Sequence, residues 1–141
     1  MIHPYRARAY EVWAPVIARV VFGLQFLLGA AFKIPGTAFF SGEVAQTAAA
    51  GVPFATVLVF LAFIIEVVCG LMLVFGWHAR KAAFVLAPYT LILALVFYRN
   101  IADVNIMGEF ISHLAFIAGL LYVSVYGAQH AAVRKDPLPN A

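Results

Sequence analysis

Four long apolar stretches, separated by short breaks rich in glycine, proline or charge, constrain this chain more than any other feature. They cover approximately residues 15–34, 54–75, 82–98 and 107–126. A bilayer core of about 30 Å requires roughly 20 helical residues, and backbone groups inside it must be hydrogen-bonded within the protein. The stretches lack the two-residue alternation of barrel strands. The sequence therefore predicts an all-α fold, a four-transmembrane-helix bundle. The longest break, residues 37–50, is predicted to be a short amphipathic segment at the membrane interface.

Composition agrees with a single membrane domain over residues 1–141. Hydrophobic residues make up 65% of the chain and charged residues only 11%, whereas a soluble domain has about 25% charged residues. The first apolar stretch is long and lacks a small-residue cleavage site, so we expect an uncleaved span rather than a signal peptide. The tail at residues 134–141 contains two prolines and is predicted to be disordered.

The lysine and arginine residues predict the orientation of the bundle. Most of them fall at one end of the predicted spans: Arg6, Arg8, Arg19, Arg80, Lys81, Arg134 and Lys135. Only Lys33 and Arg99 fall at the other end. The positive-inside rule places the richer end in the cytoplasm, which predicts an N-in/C-in, multi-pass protein of the bacterial cytoplasmic (inner) membrane. These charges flank apolar stretches and form no basic stripe, so we expect no nucleic-acid partner.

Glu66 lies in the middle of the second apolar stretch, where a charge is costly and indicates a function or a buried pair. Ala62 and Gly70 share its helical face and let another helix approach closely, so Glu66 is predicted to face the interior. Two interpretations stay open: a structural lock between helices, with Arg19 as the preferred partner, or direct handling of a ligand or proton. Arg19 and Lys33 can alternatively extend their charged ends to the interface.

A second polar group is predicted towards the outer half of the bundle. Glu109 and His113 are four residues apart and share a helical face, and His113 can either carry a proton near neutral pH or hydrogen-bond another helix. Lys33 and Arg99 fall at a similar depth, which predicts an outward-facing polar pocket. The candidate buried polar or ligand-binding residues are thus Arg19, Gln25, Lys33, Glu66, Arg99, Glu109 and His113.

Several chemistries find no support in the sequence. Cys69 is the only cysteine and lies in an apolar stretch, so it is predicted to be a small packing residue. His113 is the only histidine within a predicted span, and no converging His or Cys set suggests a metal site. Glycine-rich nucleotide-binding motifs are missing. Catalytic residues stay unknown, since no nucleophile, base and orienting group can be named together.

Three segments resemble the DoxX family of membrane proteins. They are RVVFG leading to GAAFK at residues 19–33, FIIEVVCGLMLVFGWHARKAA at residues 63–83, and GEFISHLAFIAGLL at residues 108–121. The resemblance implies a four-helix membrane fold. It also implies an accessory role in a quinone-linked oxidoreductase complex, such as thiosulfate:quinone oxidoreductase, or an association with redox-stress proteins. A related group uses cysteine pairs for thiol redox chemistry, from which this chain departs because it has Cys69 alone.

The leading hypothesis is therefore a DoxX-like oxidoreductase subunit with no self-contained catalytic site, which binds a quinone and needs a protein partner or a homo-oligomer. In this hypothesis Arg19, Lys33, Glu66, Glu109 and His113 line a polar interior. Aromatic residues suit the quinone ring and tail: Phe22, Phe26, Phe63, Tyr89 and Phe116. The alternatives are an oligomeric channel or carrier for small solutes and a non-catalytic membrane scaffold.

Overall fold

The structure, a computed structural model, describes residues 9–136, and these form five α-helices with no strand among them. The helices are α1 (Ala9–Ala31), α2 (Ala38–Ala49), α3 (Ala55–Phe75), α4 (Ala79–Phe97) and α5 (Val104–Tyr126). All except α2 are long and apolar enough to cross a membrane, which confirms the all-α prediction with four spans. Arg6, Arg8 and residues 137–141 of the predicted tail lie outside the described residues, so those predictions stay untested.

The helix ends follow local capping chemistry rather than the limits of the apolar stretches. Thr37 caps α2, because its hydroxyl oxygen accepts a hydrogen bond from Phe40 N at 3.2 Å. Asp103 caps α5 by accepting from Asn105 N at 2.9 Å, which starts this helix before the apolar stretch begins. The α3 helix ends at Phe75, and its C-cap, Gly76, has a φ of 67°, a left-handed conformation that glycine adopts without strain.

Glycine residues set how closely the helices pack. A Cβ atom at Gly23 would lie 2.8 Å from the carbonyl oxygen of Gly70, so α1 and α3 cross with their backbones nearly in contact. The α4 helix packs between α3 and α5, whereas α1 and α5 make the least contact of the packed pairs. They meet where the Phe22 ring lies against Gly119 and forms an edge-to-face contact with Phe116.

In the half of the bundle next to the α3–α4 turn, packed side chains fill the space between the helices. Leu73, Leu86 and Leu120 are fully buried there, and small residues of α4 let the neighbouring helices close around them. Cys69 belongs to the same buried cluster, as a packing residue would. The bundle also contains a large cavity near α2, and its lining residues all lie on the other side of these leucines from the α3–α4 turn.

After α5, residues 127–136 fold back over the α3–α4 turn, and we call this segment the C-terminal strap. Val133 N donates to the carbonyl oxygen of Phe75 at 2.9 Å. The Asp136 carboxylate accepts from Ala128 N at 3.0 Å and from Arg80 N at 3.4 Å. The strap therefore joins the end of α5 to the start of α4 through backbone groups that the helices leave unpaired.

Candidate functional site

A cavity of about 560 Å³ opens in the half of the bundle next to α2, and all five helices contribute to its walls. Its volume falls in the range of small-molecule sites, which are mostly apolar with a few placed polar groups. The polar residues that line it are Gln25, Lys33, Glu43, Gln46, Thr47, Glu66, Tyr89, Thr90, Tyr98, Glu109 and His113. Among residues 9–136, no group of three or more His, Cys, Asp or Glu side chains is arranged to hold a metal ion.

Glu66 occupies the inner end of this cavity and is 3% exposed, as the sequence predicted for a residue facing the interior. Lys33 Nζ lies 3.1 Å from its Oε2, and the Tyr89 hydroxyl donates to its Oε1 at 2.5 Å. Lys33 also donates to the carbonyl oxygen of Gly29 at 3.2 Å. One donor on each carboxylate oxygen is the arrangement that an ionised, acceptor-only carboxylate needs in an apolar interior.

The α1–α3 register brings Lys33 to Glu66, and the predicted pairing of Glu66 with Arg19 is wrong. Gly23 contacts Gly70, so the antiparallel helices place Gly29 beside Glu66, where a Cβ at Gly29 would lie 3.2 Å from Oε2. Arg19 is ten residues before Gly29, which is about 15 Å along a helix. The sequence predicted only the approximate depth of each charge in the membrane. It did not predict where α1 and α3 cross.

Arg19 lies instead at the opposite end of the bundle, beneath the C-terminal strap. Its Nη2 donates to the carbonyl oxygen of Ala131 at 2.8 Å, and its guanidinium packs where a side chain at Gly76 would otherwise sit. Within the part of the chain that the structure describes, its Nη1 has no hydrogen-bond partner. Arg19 is 3% exposed, but it does not line the cavity.

The other predicted residues divide between the cavity and the surface. His113 lines the cavity, with Nδ1 2.8 Å from the carbonyl oxygen of Glu109 and its ring 4.7 Å from that of Tyr98. Glu109 and Gln25 line it too, although both are largely exposed. Arg99 is exposed and does not line the cavity, so the prediction of a buried Arg99 is wrong. Its position at the end of α4 lets its long side chain reach outwards.

Sequence reasoning missed several polar residues of the cavity. Thr90 was not named, and Tyr89 was predicted only as an aromatic wall, not as a hydrogen-bond donor. The signal available was a pair of polar side chains after Pro88 in the third apolar stretch. Glu43 and Gln46 are three residues apart on α2, so they share a face, and that face covers the cavity.

The aromatic walls agree in large part with the sequence hypothesis. Phe22, Phe26, Tyr89 and Phe116 line the cavity. Phe63, which was grouped with them, does not line it.

Comparison with known proteins gives one finding. A protein-family model described as DoxX matches residues 14–99, which is more than half of the chain. No curated protein and no solved structure matches this chain. The matched segment includes Lys33, Glu66 and Tyr89, and it ends before α5.

Proposed function

The chain belongs to the DoxX family, and from this premise we propose that it is a membrane subunit that binds a quinone for a partner oxidoreductase. The observation that carries the proposal is the cluster of Lys33, Glu66 and Tyr89 at the inner end of an aromatic cavity. A quinone needs hydrogen-bond donors at its carbonyl oxygens, a proton acceptor in its reduced form, and apolar walls around its ring and tail.

Each member of the cluster has a chemical part in this proposal. Tyr89 and Lys33 donate to Glu66, and either donor can turn to a quinone carbonyl oxygen. Oxidation of a quinol to a quinone releases two protons and two electrons: Glu66 accepts one proton, water at the mouth of the cavity takes the other, and both electrons pass to the partner. Phe22 and Phe116 contact the ring or the isoprenoid tail. The proposal assigns electron transfer to the partner, because the chain has one cysteine and no converging ligand set in its described part.

The cavity also suits a ligand that arrives from the lipid. It is bordered by α1 and α5, the pair of packed helices with the least contact, and by the exposed side chain of Gln25. The alternative of a solute channel has less support, because a channel needs a continuous path through the bundle. The half next to the α3–α4 turn is filled instead by packed side chains, among them Leu73, Leu86 and Leu120. We also propose the N-in/C-in orientation in a bacterial inner membrane, for which the arginine and lysine distribution is the support.

Titration of the purified full-length protein with decylubiquinone in detergent, followed by calorimetry, tests the proposal. We expect saturable binding that Tyr89→Phe weakens by about 2- to 10-fold, because a hydrogen bond to a neutral carbonyl oxygen is worth about 0.5–1.5 kcal/mol. Tyr122→Phe is the matched control, since Tyr122 is 59% exposed on α5, and it leaves the affinity unchanged. Absence of wild-type binding, or equal affinities of Tyr89→Phe and Tyr122→Phe, contradicts the proposal.

A further inference from the structure

A second, smaller cavity of about 350 Å³ lies at the opposite end of the bundle, between the start of α4 and the C-terminal strap. One wall comes from the α3–α4 turn and the first turn of α4, and the other comes from the last described residues of the strap. The residues that line it are His78, Arg80, Lys81, Arg134, Lys135 and Asp136. Two segments about 50 residues apart in sequence thus meet around one space.

This cavity has an excess of positive charge. Four of its six lining residues are lysine or arginine. Asp136 is the one acidic residue among the described residues that line it, and its carboxylate already accepts from Ala128 N and Arg80 N. The α4 helix adds the positive end of its dipole, and no acidic residue occupies its first turn.

Like charges therefore face one another across the cavity. Arg80 and Lys81 belong to one wall, whereas Arg134 and Lys135 belong to the other. Arg134 Nη1 also lies 3.4 Å from His78 Nε2, an atom that carries no negative charge. An anion in the cavity relieves this repulsion and holds the two walls together.

The position of the cavity along the bundle points to a lipid as the source of the anion. It lies beside the end of α3, where Phe75 and Trp77 are 57% and 52% exposed. Tryptophan at the end of a span marks the membrane interface, and basic pockets at this level bind lipid headgroups. The lining lysine and arginine side chains thus stand at the depth of lipid phosphates.

We propose that this cavity binds the phosphate group of an anionic membrane phospholipid, which clamps the C-terminal strap to the start of α4. The proposal is independent of quinone binding, because the two cavities lie in opposite halves of the bundle and share no lining residue. Non-specific attraction of basic residues to an anionic membrane surface requires no cavity. It predicts that loss of any exposed cation weakens lipid binding, whereas binding in the cavity predicts a loss only at the lining residues.

The test is a fluorescence titration of the full-length protein carrying Trp13→Phe, which leaves Trp77 as the only tryptophan. The probes are dioctanoyl phosphatidylglycerol, dioctanoyl phosphatidylcholine and inorganic phosphate, in a neutral detergent. We expect saturable binding of phosphatidylglycerol, with phosphatidylcholine and inorganic phosphate each at least 10-fold weaker. The double variant Arg134→Gln/Lys135→Gln lowers the phosphatidylglycerol affinity at least 10-fold, and Lys81→Gln lowers it from the other wall.

Arg99→Gln is the matched control, because Arg99 is an exposed cation at the other end of the bundle, and its affinity stays within twofold of wild type. An equal loss in Arg99→Gln indicates general surface attraction and overturns the proposal. Phosphatidylcholine binding as tightly as phosphatidylglycerol overturns it as well. Inorganic phosphate that binds as tightly as the lipid overturns the assignment to a lipid and identifies a free anion instead.

Discussion

At the scale of single residues, the buried pair of Lys33 and Glu66 makes a sharp prediction about stability. Lys33→Met leaves the Glu66 carboxylate without its cation in an apolar interior, and Tyr89 remains as its donor. Breaking a buried ion pair from one side costs about 3–5 kcal/mol. We therefore expect Lys33→Met to lower the free energy of unfolding by about that amount, measured by denaturant titration in detergent.

The double variant Lys33→Met/Glu66→Gln separates the pair from simple loss of a side chain. Removing both charges leaves no uncompensated carboxylate, so the double variant should be more stable than Lys33→Met alone. Arg99→Met, at an exposed position, should change the free energy of unfolding by no more than about 0.5 kcal/mol. Strictly additive losses at Lys33 and Glu66 would show that the two side chains do not interact.

At the scale of helices, the crossing of α1 and α3 depends on Gly23. A Cβ atom there would lie 2.8 Å from the carbonyl oxygen of Gly70 and 2.7 Å from Val74 Cγ2. Gly23→Ala should therefore destabilise the fold by about 1–3 kcal/mol. Gly42→Ala is the control within α2, where a Cβ atom meets open space, and it should stabilise by about 0.5–1 kcal/mol. Thermal unfolding of both variants in detergent gives the comparison, and a shift of the same sign in both would contradict it.

The sequence predicted the spans and the position of Glu66, but it did not predict how α1 and α3 cross. The four spans were predictable because about 20 consecutive apolar residues satisfy the bilayer in only one way. The interior position of Glu66 was predictable because a charge at the middle of a span is costly unless it faces the interior of the bundle. Its partner was not, since the contact between Gly23 and Gly70 sets the register, and Gly29 offered a second crossing point for Gly70. The hydrogen bond from Tyr89 to Glu66 was not predicted, because an aromatic residue in a span is ordinarily apolar packing.

At the scale of the whole molecule, the two halves of the bundle differ in how their interiors are filled. In one half, packed side chains fill the space between the helices, and the C-terminal strap covers its end, with Arg19 beneath Ala131. The other half is hollow and covered by α2, with Glu66 at its inner end. The cavity that contains Glu66 thus lies on the α2 side, and packed side chains separate it from the strap. The orientation of the bundle in the membrane therefore decides which compartment communicates with Glu66.

Cysteine labelling in cells tests that orientation. Cys69 is 7% exposed, and a Cys69→Ala background removes its thiol without disturbing the surface. In that background, Ile101→Cys reports on the α4–α5 loop and Val133→Cys reports on the strap, at positions 58% and 73% exposed. Because lysine and arginine concentrate at the strap end, a membrane-impermeant maleimide should label Ile101→Cys in intact cells. It should label Val133→Cys only after the membrane is permeabilised. The reverse pattern would place the cavity on the cytoplasmic side, and any label on the Cys69→Ala protein would reveal a background that invalidates the comparison.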